Sequence, residues 1–126
     1  MSVVGVGTDL VSVARIRTVL DRRGERFARR ILTENEWERF EQHLRPAVYL
    51  SKCFAVKEAV SKALGTGISQ GVSWQDIALE SLPGGQPQAN VIGAARKRML
   101  TLGAESVHIS LTDENDMVCA FAVLSQ

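Results

Sequence analysis

The run from Ala47 to Leu64 constrains this chain more than any other segment, because it keeps a helical apolar pattern along its length yet carries two lysines and a carboxylate between Phe54 and Lys62. Pro46 suits the first turn of such a helix, where its missing N–H leaves no bond unmade. At about 100° per residue, Lys57, Glu58, Ser61 and Lys62 fall within an arc of roughly 140°, and Cys53, Val56, Ala59, Val60, Ala63 and Leu64 occupy the rest. The spacing predicts one face in the core and one ionic face. Two cations beside a hard oxygen ligand suit a phosphate-rich, metal-bridged substrate, with the metal on the carboxylate and the ammonium groups against the phosphates. A Glu58–Lys62 pair at i,i+4 equally suits a solvated salt bridge contributing ~0.2–0.5 kcal/mol. This segment alone allows both.

The flanking sequence predicts a single α+β domain spanning 1–126, of order β-α-α-α-β-β-α-β-β. Val3 to Val6 is short, apolar and β-branched, and Gly5 and Gly7 mark it as a strand approached closely by another backbone or a ligand, with Asp9 just past its end. Ser12 is the expected N-cap of a helix burying Val13, Ile16, Val19 and Leu20 and closing at Gly24. A helical turn follows through Phe27, Ile31 and Leu32. Thr33-x-x-Glu36 then reads as a capping box opening a helix with Trp37 and Phe40 inside. The helix from Ala47 stops at Gly65-Thr66-Gly67, whose glycines permit positive φ or close approach to a ligand. Strands at Ile77–Glu80 and Ala89–Ile92 flank a turn at 83–87, and a helix from Ala94 to Leu102 ends at Gly103. Val107, Ile109 and Leu111 alternate with His108, Ser110 and Thr112 in a half-buried strand, and Met117–Leu124 is apolar enough for the centre of a sheet.

A formal net charge of +1 argues against a general polyanion binder, yet from Val11 to Arg30 seven arginines face only Asp21 and Glu25. Glu34 to Glu41 reverses the sign, so the basic character is local and fits an acidic partner of limited size. Cys53 and Cys119 both lie in apolar patterns, as reduced thiols do. No signal-peptide pattern and no spanning run is visible, and the expected setting is cytoplasmic, with neither membrane nor nucleic acid as partner.

Four segments together resemble one family. Gly5-x-Gly7-x-Asp9 with Arg15 beyond it, Phe54-Ala55-x-Lys57-Glu58-Ala59-x-x-Lys62, Gly65-Thr66-Gly67-Ile68, and Val107-His108-Ile109-Ser110-Leu111 match the holo-acyl-carrier-protein synthases in order and spacing. These are the small bacterial phosphopantetheinyl transferases. The resemblance implies transfer of 4′-phosphopantetheine from coenzyme A to a serine of apo acyl carrier protein in support of fatty acid biosynthesis, with Mg²⁺, by a homotrimer whose sites lie between subunits. It implies Asp9 and Glu58 as metal ligands and catalytic residues with Lys62. Lys57 and Lys62 are then phosphate counter-ions, and Gly65, Thr66, Gly67, His108 and the hairpin residue Pro87 also fall to the coenzyme. Arg15 matches a carrier-docking position, and Arg22, one helical stripe away, is added to it. The serine proton has three candidate acceptors, which the spacing leaves open: a water near Asp9 and Glu58, Glu58 itself, or a lysine of lowered pKa.

Three positions depart from the family pattern: Cys53 stands where arginine is common, Gln86 where lysine is, and Asp113 where histidine is. Each removes a cation, so recognition of the coenzyme's 3′-phosphate is expected to fall to Lys52 or to a neighbouring subunit. Two other readings compete. An inactive structural or regulatory homologue would keep the fold without turnover, and an RNA-binding module would need aromatics interleaved in the basic segment, which are lacking.

Overall fold

A computed structural model describes residues 2–126. Its strands and helices are β1 (Val3–Ser12), α1 (Val13–Arg23), α2 (Glu25–Ile31), α3 (Glu34–Gln42), α4 (Pro46–Ala63), β2 (Ile77–Ser81), β3 (Pro87–Val91), α5 (Gly93–Thr101), β4 (Ser106–Glu114) and β5 (Met117–Ser125). The α+β order holds, with one element added. The helical turn expected after Gly24 is the separate helix α2, because Gly24 takes φ +63°, closes α1 through its N–H to Leu20 O, and lets the chain restart. Ser12 caps α1, and Thr33 and Glu36 form the expected capping box of α3.

An antiparallel sheet of order β1–β5–β4 packs one face on α4, and β2 and β3 form a separate hairpin. β5 is central, as its continuous apolar run requires. Asn115 and Asp116, at φ +51° and +66°, turn β4 into β5. The helix-facing rows hold Gly7, Val11, Val118, Ala120, Ala122 and Leu124, all buried. The opposite face holds Val6, Thr8 and Leu10 on β1, Cys119, Phe121 and Val123 on β5, and His108, Ser110 and Thr112 on β4, paired across in that register. Much of that face is apolar and open: Val6 is 57%, Leu10 65% and Phe121 46% exposed.

Two expectations change. β1 runs to Ser12 and does not stop near Val6, since it pairs with β5 along its length, so Asp9 lies within the strand opposite Ala120. α4 is not half ionic. The sheet, α1, α3 and β2 surround it, and Lys57 and Ser61 are fully buried with its apolar residues.

Gly5 and Gly7 explain how β1 sits so close. A Cβ on Gly5 would collide with the Ala63 carbonyl, and one on Gly7 would collide with the Ala59 carbonyl and stand 2.7 Å from Ala63 N. Both obstacles are helix backbone, which cannot step aside like a flexible side chain. Gly7→Ala is expected to lower stability by about 3 kcal/mol, at the upper end of ordinary overpacking. A denaturant melt indistinguishable from the parent chain would show that β1 and α4 separate freely.

Candidate active site

The close approach of β1 to α4 makes the site. Two residues beyond Gly7 on the same strand face, Asp9 points toward the exposed edge of α4, where Glu58 and Lys62 stand one turn apart. Lys62 Nζ donates to Thr8 O at 3.0 Å and Asp9 Oδ1 at 3.2 Å, bridging helix and strand. The Asp9 side chain is 15% exposed and that of Lys62 49%, so the cluster forms a cleft open on the lysine side.

Asp9 Oδ2 is buried without a hydrogen-bond partner. Burial holds the Glu58 carboxyl above its usual range, the Asp9 charge pushes the same way, and Lys62 opposes both. Two carboxylates crowded together, one with an orphaned oxygen, are short of positive charge. A small hard cation fits that deficit. Among the described residues no three His, Cys, Asp or Glu side chains gather to hold a metal, so an ion here would complete its shell with water or substrate oxygens, as Mg²⁺ commonly does.

A cavity of about 300 Å³ joins this cluster to the basic helix, lined by Asp9, Arg15, Ile16, Val19, Phe27 and Phe54. Arg15 shares that cavity with Asp9, whereas Glu58 and Lys62 do not line it. Arg22, at i+7 from Arg15, is exposed farther along α1 and lies outside that cavity.

Other residues expected at the site lie elsewhere. Lys57, expected among the outward charges, is wholly enclosed: its Nζ is 2.8 Å from Glu36 Oε1 and donates to Trp74 O at 2.9 Å and to Ile77 O. It is a strut between α4, α3 and β2, not a phosphate counter-ion. His108 projects from the sheet face opposite Asp9 and meets Ser125 Oγ at 3.2 Å. Pro87 lines another cavity, of about 550 Å³, with Arg39, His43, Tyr49, Lys52 and Gly85. Lys52 is there, 3.7 Å from Asp113. Cys53 is fully buried, and burial pushes its thiol far above the ordinary range, so it acts as packing.

The loop after α4 also differs from its expected use. Gly65 and Gly67 take φ +78° and +62°, but Gly65 N donates to Lys62 O and the Thr66 and Gly67 N–H groups to Ser61 O. Thr66 Oγ1 donates to Gly67 O at 2.8 Å. The loop is a helix cap that leaves no cradle of free amides. Sequence reasoning missed Glu36, which appears only as a capping residue; the signal was Lys57, since a buried ammonium requires a buried carboxylate.

A family model described as the 4′-phosphopantetheinyl transferase superfamily matches residues 5–122. The holo-[acyl-carrier-protein] synthase of Photorhabdus laumondii is 45% identical over 126 residues, 100% of both chains. That of Serratia proteamaculans is 43% identical over 124 residues, 98% of each. The fold resembles the crystal structure of the Neisseria meningitidis holo-[acyl-carrier-protein] synthase, with TM-score 0.93 and 40% identity over 99% of this chain and 100% of that one. It also resembles the Helicobacter pylori holo-[acyl-carrier-protein] synthase in complex with coenzyme A, with TM-score 0.82 and 28% identity over 95% and 99%.

Proposed function

The chain belongs to the 4′-phosphopantetheinyl transferase superfamily, and from that membership and its full-length likeness to holo-[acyl-carrier-protein] synthases we propose how its residues carry the reaction. The 4′-phosphopantetheine group passes from coenzyme A to a serine of an apo acyl carrier protein. The serine oxygen bonds to the phosphorus bearing pantetheine, the bond to the second phosphate breaks, and adenosine 3′,5′-bisphosphate leaves. What supports placing this step at Asp9, Glu58 and Lys62 is the orphaned Asp9 oxygen beside the raised Glu58 carboxyl.

Asp9 and Glu58 are the residues to hold Mg²⁺, which when bound offsets the charge gathering on the leaving phosphate and aligns the diphosphate. Lys62, tied to Thr8 O and Asp9, presents its ammonium at the mouth of the cleft and neutralises the diphosphate. The serine proton goes to a water at the two carboxylates. Gly65, Thr66 and Gly67 keep the wall beside Lys62 low, so that the coenzyme passes close. Pro87, Lys52 and Arg39 line a space suited to the adenosine end and its 3′-phosphate.

The apolar outer sheet face supports a homotrimer, in which such faces meet and His108 of one subunit serves a site on the next. Arg15 docks the acidic carrier beside the cavity that leads to Asp9, and Arg22 extends that basic stripe. Arg15→Glu is expected to raise the KM for carrier protein about tenfold at low salt, less as salt screens the contact, with the coenzyme KM unchanged. A rise in the coenzyme KM instead would remove Arg15 from docking. The deciding experiment incubates the chain with coenzyme A, Mg²⁺ and an apo carrier protein and weighs the carrier. Gain of one phosphopantetheine is expected, and no gain beside an active control enzyme would sink the assignment.

A further inference from the structure

The coenzyme's phosphates face an electrostatic obstacle at the end of α4. Glu58, Lys62 and Gly65 follow at i, i+4 and i+7, the spacing of one helix face, and they stand at the C-terminal end, where the helix dipole is negative. The loop cannot offset this with backbone donors, because the Gly65, Thr66 and Gly67 amides all bond to α4 carbonyls. Lys57 cannot offset it either, being buried against Glu36. Lys62 shares its charge with Asp9.

Arg98 on α5 is the cation at that place. Its Nε donates to Leu64 O at 3.0 Å, a terminal carbonyl of α4. Its Nη2 stands 3.5 Å from where a Cβ on Gly65 would be, so the guanidinium lies against the bare Cα of that residue. It is half-buried, and among the described residues it has no ion-pair partner. One guanidinium edge is fixed to the helix end while its remaining N–H donors and its whole charge are left uncommitted. An arginine so anchored presents a preorganised fork to a phosphate.

We propose that Arg98 is a coenzyme-binding residue, holding a phosphate oxygen of coenzyme A beside Gly65 and supplying the second cation that Lys57 does not. The inference rests on the assignment of the coenzyme to the Asp9–Glu58–Lys62 cleft.

The test is calorimetric titration of the full chain with coenzyme A, and separately with adenosine 3′,5′-bisphosphate, on the parent, Arg98→Met, Arg98→Gln and Arg98→Lys. The expected result is coenzyme affinity weakened roughly tenfold to a hundredfold in the Met and Gln variants, the range for a charge-assisted hydrogen bond, with a shallower dependence on salt. Arg98→Lys recovers part of the affinity, thermal midpoints stay close to the parent, and the KM for carrier protein does not move. Coenzyme affinity within twofold of the parent in Arg98→Met would overturn the proposal, and so would equal losses toward coenzyme and carrier. A parent chain that binds coenzyme A but never forms holo carrier would instead overturn the transfer reading and leave the Arg98 contact standing.

Discussion

Asp9→Asn should lower the rate of phosphopantetheine transfer by roughly a hundredfold to a thousandfold, the range seen when one preorganised electrostatic group is withdrawn from a reacting centre. The substitution keeps size and shape but removes the charge. One amide oxygen still accepts from Lys62 Nζ, so the tie between α4 and β1 survives in weaker form. What disappears is the second carboxylate, with its unpartnered Oδ2, and the charge that adds to burial in holding Glu58 up. Raising Mg²⁺ should restore part of the activity, because affinity for the ion falls along with the rate. Unchanged turnover at ordinary Mg²⁺ would take Asp9 out of the site.

The same variant has a pH signature. Glu58 has a raised folded-state pKa, so between its unfolded value and that raised value the native protein binds the extra proton. Stability of the metal-free chain therefore falls as pH rises through that window and is recovered as pH drops below it. Asp9→Asn removes the repulsive part, leaving burial as the upward cause and Lys62 as the downward one. Carbon-detected NMR titration of Glu58 should show its midpoint move down in the variant. An unmoved midpoint would mean that the Asp9 charge has no part in setting it.

The elements of this fold were legible in the sequence wherever local chemistry fixed them. Ser12, Gly24, the Thr33–Glu36 box, Pro46 and Gly103 each act within a turn of where they stand, and they end or begin the helices where expected. Asp9, Glu58 and Lys62 were legible too, through the four matched segments, and the structure brings them together. Lys57 was not. Helical periodicity reports the angle at which a residue leaves its own helix, and Lys57 lies at the edge of the charged arc; which neighbours occupy that angle depends on α3 and β2, far off in sequence. His108 shows the other limit. Alternation correctly placed it on the polar face of β4, but which sheet face carries the carboxylates follows from the β1–β5 register, which no local pattern reveals. Arg98 escaped because a lone arginine on a short basic helix resembles any solvated cation until its Nε is seen on Leu64 O.

Lys57→Met and Glu36→Gln should each cost about 3–5 kcal/mol, the usual penalty for leaving one partner of a buried ion pair uncompensated. That is a large share of the ~5–15 kcal/mol that holds a domain folded. Lys57 Nζ serves Glu36 Oε1 and the Trp74 and Ile77 carbonyls, while the Glu36 carboxylate also accepts from Thr33 N at 2.9 Å and Leu79 N at 2.7 Å. Removing the lysine strands a carboxylate and two carbonyls; neutralising the glutamate strands an ammonium. The double variant loses both charges at once and should be about as stable as either single one, so a thermodynamic cycle from urea melts should yield a strongly favourable coupling. Additive losses would show that the two side chains act separately. Because Lys57 adjoins Glu58 on α4, the variants that still fold should lose kcat through a displaced carboxylate while keeping the KM for coenzyme A. Lys62→Ala should do the reverse and raise that KM, since its ammonium is exposed at the cleft. A coenzyme KM that rises in Lys57→Met as it does in Lys62→Ala would return Lys57 to the phosphates, against its enclosure between α3 and β2.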